Sequence, residues 1–295
     1  MVALFIINPV AGEGDQNDIR QKVAQYHSDI ELTAHFLETS GENDAERIRE
    51  ALQTYSPEIV FACGGDGTVN LVGEILRGTP VTLGIIPRGS ANGLATELEL
   101  PYNVHDCLDV LLSGPRINLD TLIINDTYHC LHLADIGYNA QLIHDFESLK
   151  QRGHIGYLRG FLKTMKERPT AEITYNGPAG KEKEKVIMAV FANARMYGTG
   201  AVINPKGRLD DGHFELVLFR PWPRWYFPFL MVLSLFGKIN MSRYTKIIVE
   251  KEVQVKLKTP LPLQVDGEPR GQVFDIQVRV CQNKISLAVR AGYFD

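Results

Sequence analysis

Residues 58–70 read EIVFACGGDGTVN. EIVFA is apolar and rich in β-branched side chains, without polar alternation, as expected of a strand buried on both faces. It runs into Gly-Gly-Asp-Gly-Thr, and the residues that follow, TVNLVGEIL (68–76), put Val69, Val72 and Leu76 on one side of a helix. In an open parallel sheet, ligands bind beyond the C-terminal ends of the strands. Glycines there let a ligand approach the backbone closely. Successive N–H groups and a helix N-terminus then form an anion site. Thr68 can cap the helix or hydrogen-bond a phosphate oxygen. Asp66 suits a site that also holds Mg²⁺, or one in which it orients polar neighbours. A plain strand-to-helix turn capped by Thr is the other reading, though glycines on both sides of an Asp exceed what such a turn needs.

The flanking sequence repeats the rhythm. VALFII (2–7), ELTAHFLE (31–38) and VTLGIIP (81–87) read as further strands. Helical spacing joins Ile19, Val23 and Tyr26. It also joins Ala45, Ile48, Ala51 and Leu52, behind Asn43 as a cap. This βαβα order predicts a mostly parallel sheet with helices on both faces. Two more small polar loops follow strands, NPVAGEGD (8–15) and PRGSANGLA (87–95). Together with GGDGT they resemble a cradle for nucleotide phosphates. None is a Walker A loop or a clean dinucleotide fingerprint.

Beyond residue 122 the pattern changes. TYHCLHLAD, AEITYN, KVIMAVFANA, HFELVLF, KIIVE, VQVKLK, VFDIQVRV and KISLAVR all read as strands. Several alternate apolar and polar, as antiparallel strands with one solvated face do. A helical segment interrupts them at 154–167. The charged KEKEK (181–185) reads as an exposed turn. His129 and His132 would fall on opposite faces of one strand, which argues against a metal pair.

The chain has 295 residues and a formal net charge of -4, which argues against bulk attraction to nucleic acid. Its four cysteines show no CxxC pairing and read as reduced core thiols of a cytoplasmic protein. MVALFIINPVAG reads as a first strand, not a signal peptide. The most apolar stretch, Trp225 to Phe236, runs for only about a dozen residues, against the roughly 20 that a spanning helix needs.

NPVAG, GGDGTVN, LGIIPRGSANGLA, GRLDDGHFELV and VDGE occur in this order. The set resembles the diacylglycerol kinase catalytic family, in particular its bacterial lipid kinases, over essentially the whole chain. The resemblance implies an N-terminal α/β nucleotide domain like those of phosphofructokinase and NAD kinase over residues 1–122. A β-sandwich-like domain would follow over 123–295, leaving open a return of the last segment to the first domain. It implies ATP and Mg²⁺, with Gly64, Gly65, Asp66, Gly67, Thr68, Val69, Asn70, Thr39 and Ser90 at the nucleotide, and Asn8 beside them.

From the residues alone, VDGE (265–268) is an Asp-Gly hairpin turn. The resemblance makes Glu268 the general base on a lipid hydroxyl, with Asp266 supporting Mg²⁺ or the base. Asp66 and Asp120 complete the catalytic set by the same likeness, Asp120 reading otherwise as a strand-end Asp. LDDGHFELV (209–217) is either a solvated turn or, by resemblance, a structural Mg²⁺ site using Asp211 and the carbonyls of Arg208 and His213. Two positions depart from the family pattern: Gly93 and Asn139 stand where relatives carry Asp.

Two segments invite a membrane reading. KQRGHIGYLRGFLKTMKERP (150–169) is basic with an apolar stripe, so it fits an interfacial helix or an ordinary solvated one. Trp222, Trp225, Tyr226 and Phe227 beside Arg220 and Arg224 form an interface belt or fill a core. The expected activity is transfer of the γ-phosphate of ATP to a membrane lipid hydroxyl, with diacylglycerol giving phosphatidic acid. The protein would be cytoplasmic, with transient contact at the inner membrane face, a homodimer left open and no nucleic-acid partner. The alternatives are an NAD kinase-like enzyme with a soluble acceptor, or a silent nucleotide- or lipid-binding regulator.

Overall fold

A computed structural model describes residues 1–11, 16–26, 31–90, 92–137, 170–177 and 180–293. The expected helix at 154–167, and Asn139, lie outside them. The chain forms two compact units, Met1–Asp120 with Gln282–Asp295, and Thr121–Cys281.

The first unit holds β1 (Val2–Ile7), α1 (Gln16–Ala24), β2 (Thr33–Glu38), α2 (Asp44–Tyr55), β3 (Ile59–Gly64), α3 (Asp66–Leu76), β4 (Thr82–Pro87), α4 (Gly93–Glu97), α5 (Val104–Ser113) and β5 (Arg116–Leu119). The last strand in the sequence, β16 (Ile285–Ala288), also belongs here. The sheet order is β2-β1-β3-β4-β16-β5. Strands β1 to β4 and β16 run parallel, and β5 is antiparallel to β16. β3 and β4 are buried along their whole length, which is why their sequences lack alternation.

One row of side chains fixes the register of this sheet. Phe36, Phe5 and Phe61 lie opposite one another on β2, β1 and β3, with ring centroids 5.2 and 4.8 Å apart. Gly84 of β4 faces Phe61, and a Cβ there would come within 2.5 Å of the Phe61 ring. The glycine is the space into which the last ring fits.

Asn43 precedes α2 as expected, but its side chain makes no cap hydrogen bond. Asp44, one residue later, turns back instead: its carboxylate accepts from the N–H groups of Ser40 (2.9 Å) and Gly41 (2.8 Å).

The second unit is antiparallel. Its strands are β6 (Leu122–Ile124), β7 (Tyr128–Cys130), β8 (Leu133–Gly137), β9 (Ala171–Gly177), β10 (Gly180–Val186), β11 (Met188–Ala192), β12 (Phe214–Phe219), β13 (Thr245–Glu250), β14 (Glu252–Val265) and β15 (Glu268–Val280). A short helix, α6 (Phe227–Leu235), sits between β12 and β13. β14 pairs with β9 through Val255–Leu257 and with β8 through Leu263–Val265, with register shifts in between. The bulged strand thus bends and changes partner. Ile173, Tyr175, Phe191, Phe214, Val255 and Ile276 are buried in the core it wraps.

Two expectations need correction. KEKEK is not a turn but most of strand β10, paired along its length with β9. Its alternation is real: Glu184 meets the Arg220 guanidinium with two bonds (2.6 and 3.1 Å), and Glu182 meets Lys246 at 2.5 Å. TYHCLHLAD is not one strand but two, β7 and β8. It breaks at Leu131 and His132 because the amides of 131–133 turn to the Asp266 carboxylate instead of to a neighbouring strand.

Candidate active site

In the first unit, β1 has β2 on one side and β3 on the other, so the chain reverses its winding direction there. Open α/β sheets hold their ligands at such a switch point. A cavity of about 440 Å³ opens there, lined by the loops that follow β1, β2, β3 and β4.

These loops lock one another. Asn8 takes its main-chain bond from β3, N–H to the Cys63 carbonyl at 3.0 Å. Its side chain donates to Thr68 Oγ1 (3.2 Å) and accepts from Val10 N–H (3.1 Å). Thr39 N–H bonds the Ile7 carbonyl at 2.9 Å. Helix α3 opens on Gly65 with no side-chain cap. Helix geometry leaves such first-turn amides without an intrahelical acceptor, a ready anion site. A Cβ on Gly64 would strike Thr68 Oγ1 at 2.3 Å, and one on Gly89 would strike Gly65 Cα at 2.5 Å. The β3 and β4 loops therefore touch backbone to backbone. Asn92, at φ 50°, clamps the second loop by accepting from Gly89 N–H (2.7 Å) and donating to its carbonyl (2.6 Å).

Asn8, Thr39, Gly65, Gly67 and Thr68 all line the cavity. Gly64 and Val69 are buried behind it, Asp66 and Asn70 are half-buried, and Ser90 is exposed. Gly93 is the buried first residue of α4, next to the Asn92 clamp. Asp120 is fully buried and meets Lys284 Nζ at 2.8 Å, where the chain leaves and re-enters this unit. The lining also includes Gly89 of the second loop, and Ser40, Gly41 and Asp44, which the sequence reading did not single out. Burial pushes the Asp44 carboxyl up, but the Ser40 and Gly41 amides, the Ser40 hydroxyl and Arg47 together hold it below the ordinary range. The TSGEND turn residues were the available signal.

In the second unit, Asp266 and Gly267 form the two-residue loop of the β14–β15 hairpin, at φ 48° and 85°. That is type I′ geometry. The Asp266 carboxylate is buried and accepts from the amides of Leu131 (2.8 Å), His132 (3.0 Å) and Leu133 (3.0 Å), and from Cys130 Sγ (3.2 Å). Burial raises its pKa, against those donors. Four donors occupy it, so it anchors the hairpin. Glu268 begins β15 half-exposed, with Arg270 Nη2 at 2.5 Å from Oε2. Behind the turn, Gln264 accepts from Gly267 N–H (2.7 Å) and donates to Asp135 (2.5 Å), which also accepts from Tyr197 OH (3.0 Å). Sequence reading missed Asp135 and Gln264, though an Asp inside the apolar run LADIG was a visible signal.

In the DDG turn, Asp211 accepts from His213 N–H at 2.9 Å, and Arg208 pairs with Asp210 at 3.2 Å. Asn204 bonds the buried Glu215 alongside. Among the described residues, no three His, Cys, Asp or Glu side chains converge as a metal cluster. The set expected there, the Asp211 carboxylate plus the main-chain carbonyls of Arg208 and His213, is all oxygen, chemistry that would fit Mg²⁺ with retained waters.

The diacylglycerol kinase catalytic domain model matches residues 2–124, and the YegS C-terminal NAD kinase beta sandwich-like domain model matches 134–289. The chain belongs to the diacylglycerol kinase catalytic-domain family. Among its lipid kinase relatives, the Yersinia enterocolitica protein named "Probable lipid kinase YegS-like" is 26% identical, over 93% of each chain. A Staphylococcus carnosus diacylglycerol kinase is 26% identical over 92% of this chain and 90% of its own. The crystal structure of a Bacillus anthracis diacylglycerol kinase shares the fold, with TM-score 0.73, 18% identity and coverage of 98% and 96%. The architecture is therefore that of the lipid kinase family: an α/β unit carrying the strand-end cavity and a β-sandwich-like unit carrying the Asp-Gly hairpin.

Proposed function

We propose that this lipid kinase moves the γ-phosphate of ATP onto a hydroxyl of a membrane lipid, with diacylglycerol as acceptor and phosphatidic acid as product. The supporting observation is the cavity at the β1–β3 switch point, lined by Asn8, Thr39, Gly65, Gly67, Thr68 and Gly89. Phosphoryl transfer asks mainly for positioning and charge neutralisation, and such loops supply both. When bound, Mg²⁺ would neutralise phosphate-oxygen charge. Asp66, at the start of α3, would be its carboxylate at the nucleotide. Asp211, with the carbonyls of Arg208 and His213, would hold a second, structural ion. Asn70 and Ser90 complete the nucleotide contacts in this reading, and Asp120 keeps its link to Lys284.

Glu268 is the proton acceptor. Arg270 fixes Oε2 and leaves Oε1 to meet the lipid hydroxyl, while Asp266 holds the turn that presents it. Transfer from labelled ATP to diacylglycerol in mixed micelles tests this. Glu268→Gln should lower turnover by about 10²-fold or more, with ATP affinity nearly unchanged. Unchanged turnover removes the base assignment. Label on NAD in place of lipid would replace this reading with the NAD kinase one. Nucleotide binding without transfer to any lipid of a total extract would make the chain a regulator.

A further inference from the structure

Helix α6 inverts the usual arrangement. Its sequence, FPFLMVLSL, is apolar except for Ser234. Ser234 is buried and donates to the Val202 carbonyl at 2.9 Å. Leu230 and Leu233 pack inward, yet Phe229, Val232 and Leu235 face outward. Trp225 and Phe236, at its two ends, are each 73% exposed. A helix apolar all round is normally covered on every side, by protein core or by lipid, and exposed apolar patches of this extent mark interaction sites.

The patch is built, not frayed. Tyr226 packs edge-on against Trp225, Phe229 and Tyr244, with centroids 5.7, 5.1 and 4.8 Å apart. Arg243 lies over the Tyr244 ring at 4.9 Å. Its charge is one-sided: no Asp or Glu occurs between Glu215 and Glu250, in a chain whose net charge is -4. Arg220 and Lys246 in that span pair with glutamates of β10, while Arg224, Lys238 and Arg243 are exposed around the apolar face. Amphipathic aromatics, an apolar face and exposed basic residues on a stretch of chain without acidic ones fit the headgroup region of an anionic bilayer.

We infer that the α6 face is a membrane-docking surface that seats on anionic lipid with Trp225, Phe229, Leu235 and Phe236 inserted and Arg224, Lys238 and Arg243 at the headgroups. This deepens the lipid kinase reading and names the surface that brings the enzyme to its substrate.

Flotation of the full chain with phosphatidylcholine vesicles, with and without phosphatidylglycerol, tests it. Wild type should float with the phosphatidylglycerol vesicles. Phe229→Gln/Leu235→Gln/Phe236→Gln should lower that partitioning about tenfold or more, with an unchanged melting temperature and ATP affinity. Arg224→Glu/Lys238→Glu/Arg243→Glu, at exposed positions that leave the core untouched, should abolish the preference for phosphatidylglycerol. Wild type that stays in solution, or variants that float like wild type, would overturn the inference. So would light scattering that shows the patch variants converting a dimer to monomers, since a second copy would then be the occupant. Wild type that floats but transfers no phosphate to detergent-dispersed lipid would sink the kinase reading and leave the surface standing. Transfer in detergent without flotation would do the reverse.

Discussion

The dipeptide Asp-Gly occurs at 66–67, 211–212 and 266–267, and the first and last copies do opposite things. Asp66 and Gly67 are the first residues of α3, beside a cavity lined by Asn8, Thr39, Gly65, Gly67, Thr68 and Gly89. Asp266 and Gly267 form a hairpin loop with positive φ, and Asp266 spends its carboxylate on the fold. The flanks decide. A continuous apolar strand before and helical spacing after make the first pair a phosphate-type turn. Strands on both sides make the last a hairpin. The comparison separates a loop whose aspartate opens a helix beside a cavity from one whose aspartate serves the architecture.

The largest effect should come from removing the architectural aspartate. Asp266→Ala strands three main-chain amides in a buried site and should cost about 3–5 kcal/mol of stability, read from denaturant unfolding. Asp66→Ala, half-buried at a helix start, should cost under about 1 kcal/mol while lowering turnover. Equal losses at both positions would erase the contrast.

The next effect is a pH dependence under the hairpin. His132, whose N–H bonds Asp266, is buried, and burial pushes its imidazole pKa down to about 4 from 6.5. The unfolded chain therefore binds this proton first on acidification. The stability His132 contributes is intact above pH 6.5 and is lost as pH falls through about 4. The total is about 3 kcal/mol at 1.36 kcal/mol per unit. Unfolding curves between neutral pH and about 4 should show this loss in wild type and not in His132→Phe. An identical pH profile for the two would contradict it.

Smaller effects sharpen the first unit. Gly84→Ala pushes a methyl against the Phe61 ring and should cost about 1–3 kcal/mol. Adding Phe61→Leu should recover part of that loss in the same melting experiment, whereas no recovery would place the strain elsewhere. Asn8→Ala removes the donor to Thr68 and should weaken ATP binding by about tenfold, measured by titration, with little change in melting.

Much of the first unit was legible because its physics is local. Buried parallel strands write themselves as uninterrupted runs, and ligand loops write themselves as glycines at the strand ends. The second unit was legible as strands but less so as a network. TYHCLHLAD looks like one strand, and only a carboxylate more than 130 residues away breaks it. KEKEK looks like a turn until Arg220 and Lys246 are placed beside it. Asp120 is clear as a strand-end acid, but its ion pair comes from Lys284, beyond the whole second unit. These three turn on long-range partners that no local spacing encodes. Exposure of the apolar α6 face was open for the same reason, since sequence shows hydrophobicity but not what covers it.

The central claim is that main-chain amides at neighbouring strand ends grip the nucleotide phosphates because Gly65 and Gly89 touch. Calorimetric titration with ATP of wild type beside Gly89→Ala tests it most directly. A methyl at 89 would sit 2.5 Å from Gly65 Cα and must spread the two loops. The account predicts ATP binding by wild type and a loss of about tenfold or more in the variant. Equal affinity in the two proteins, or no binding by wild type, would contradict it.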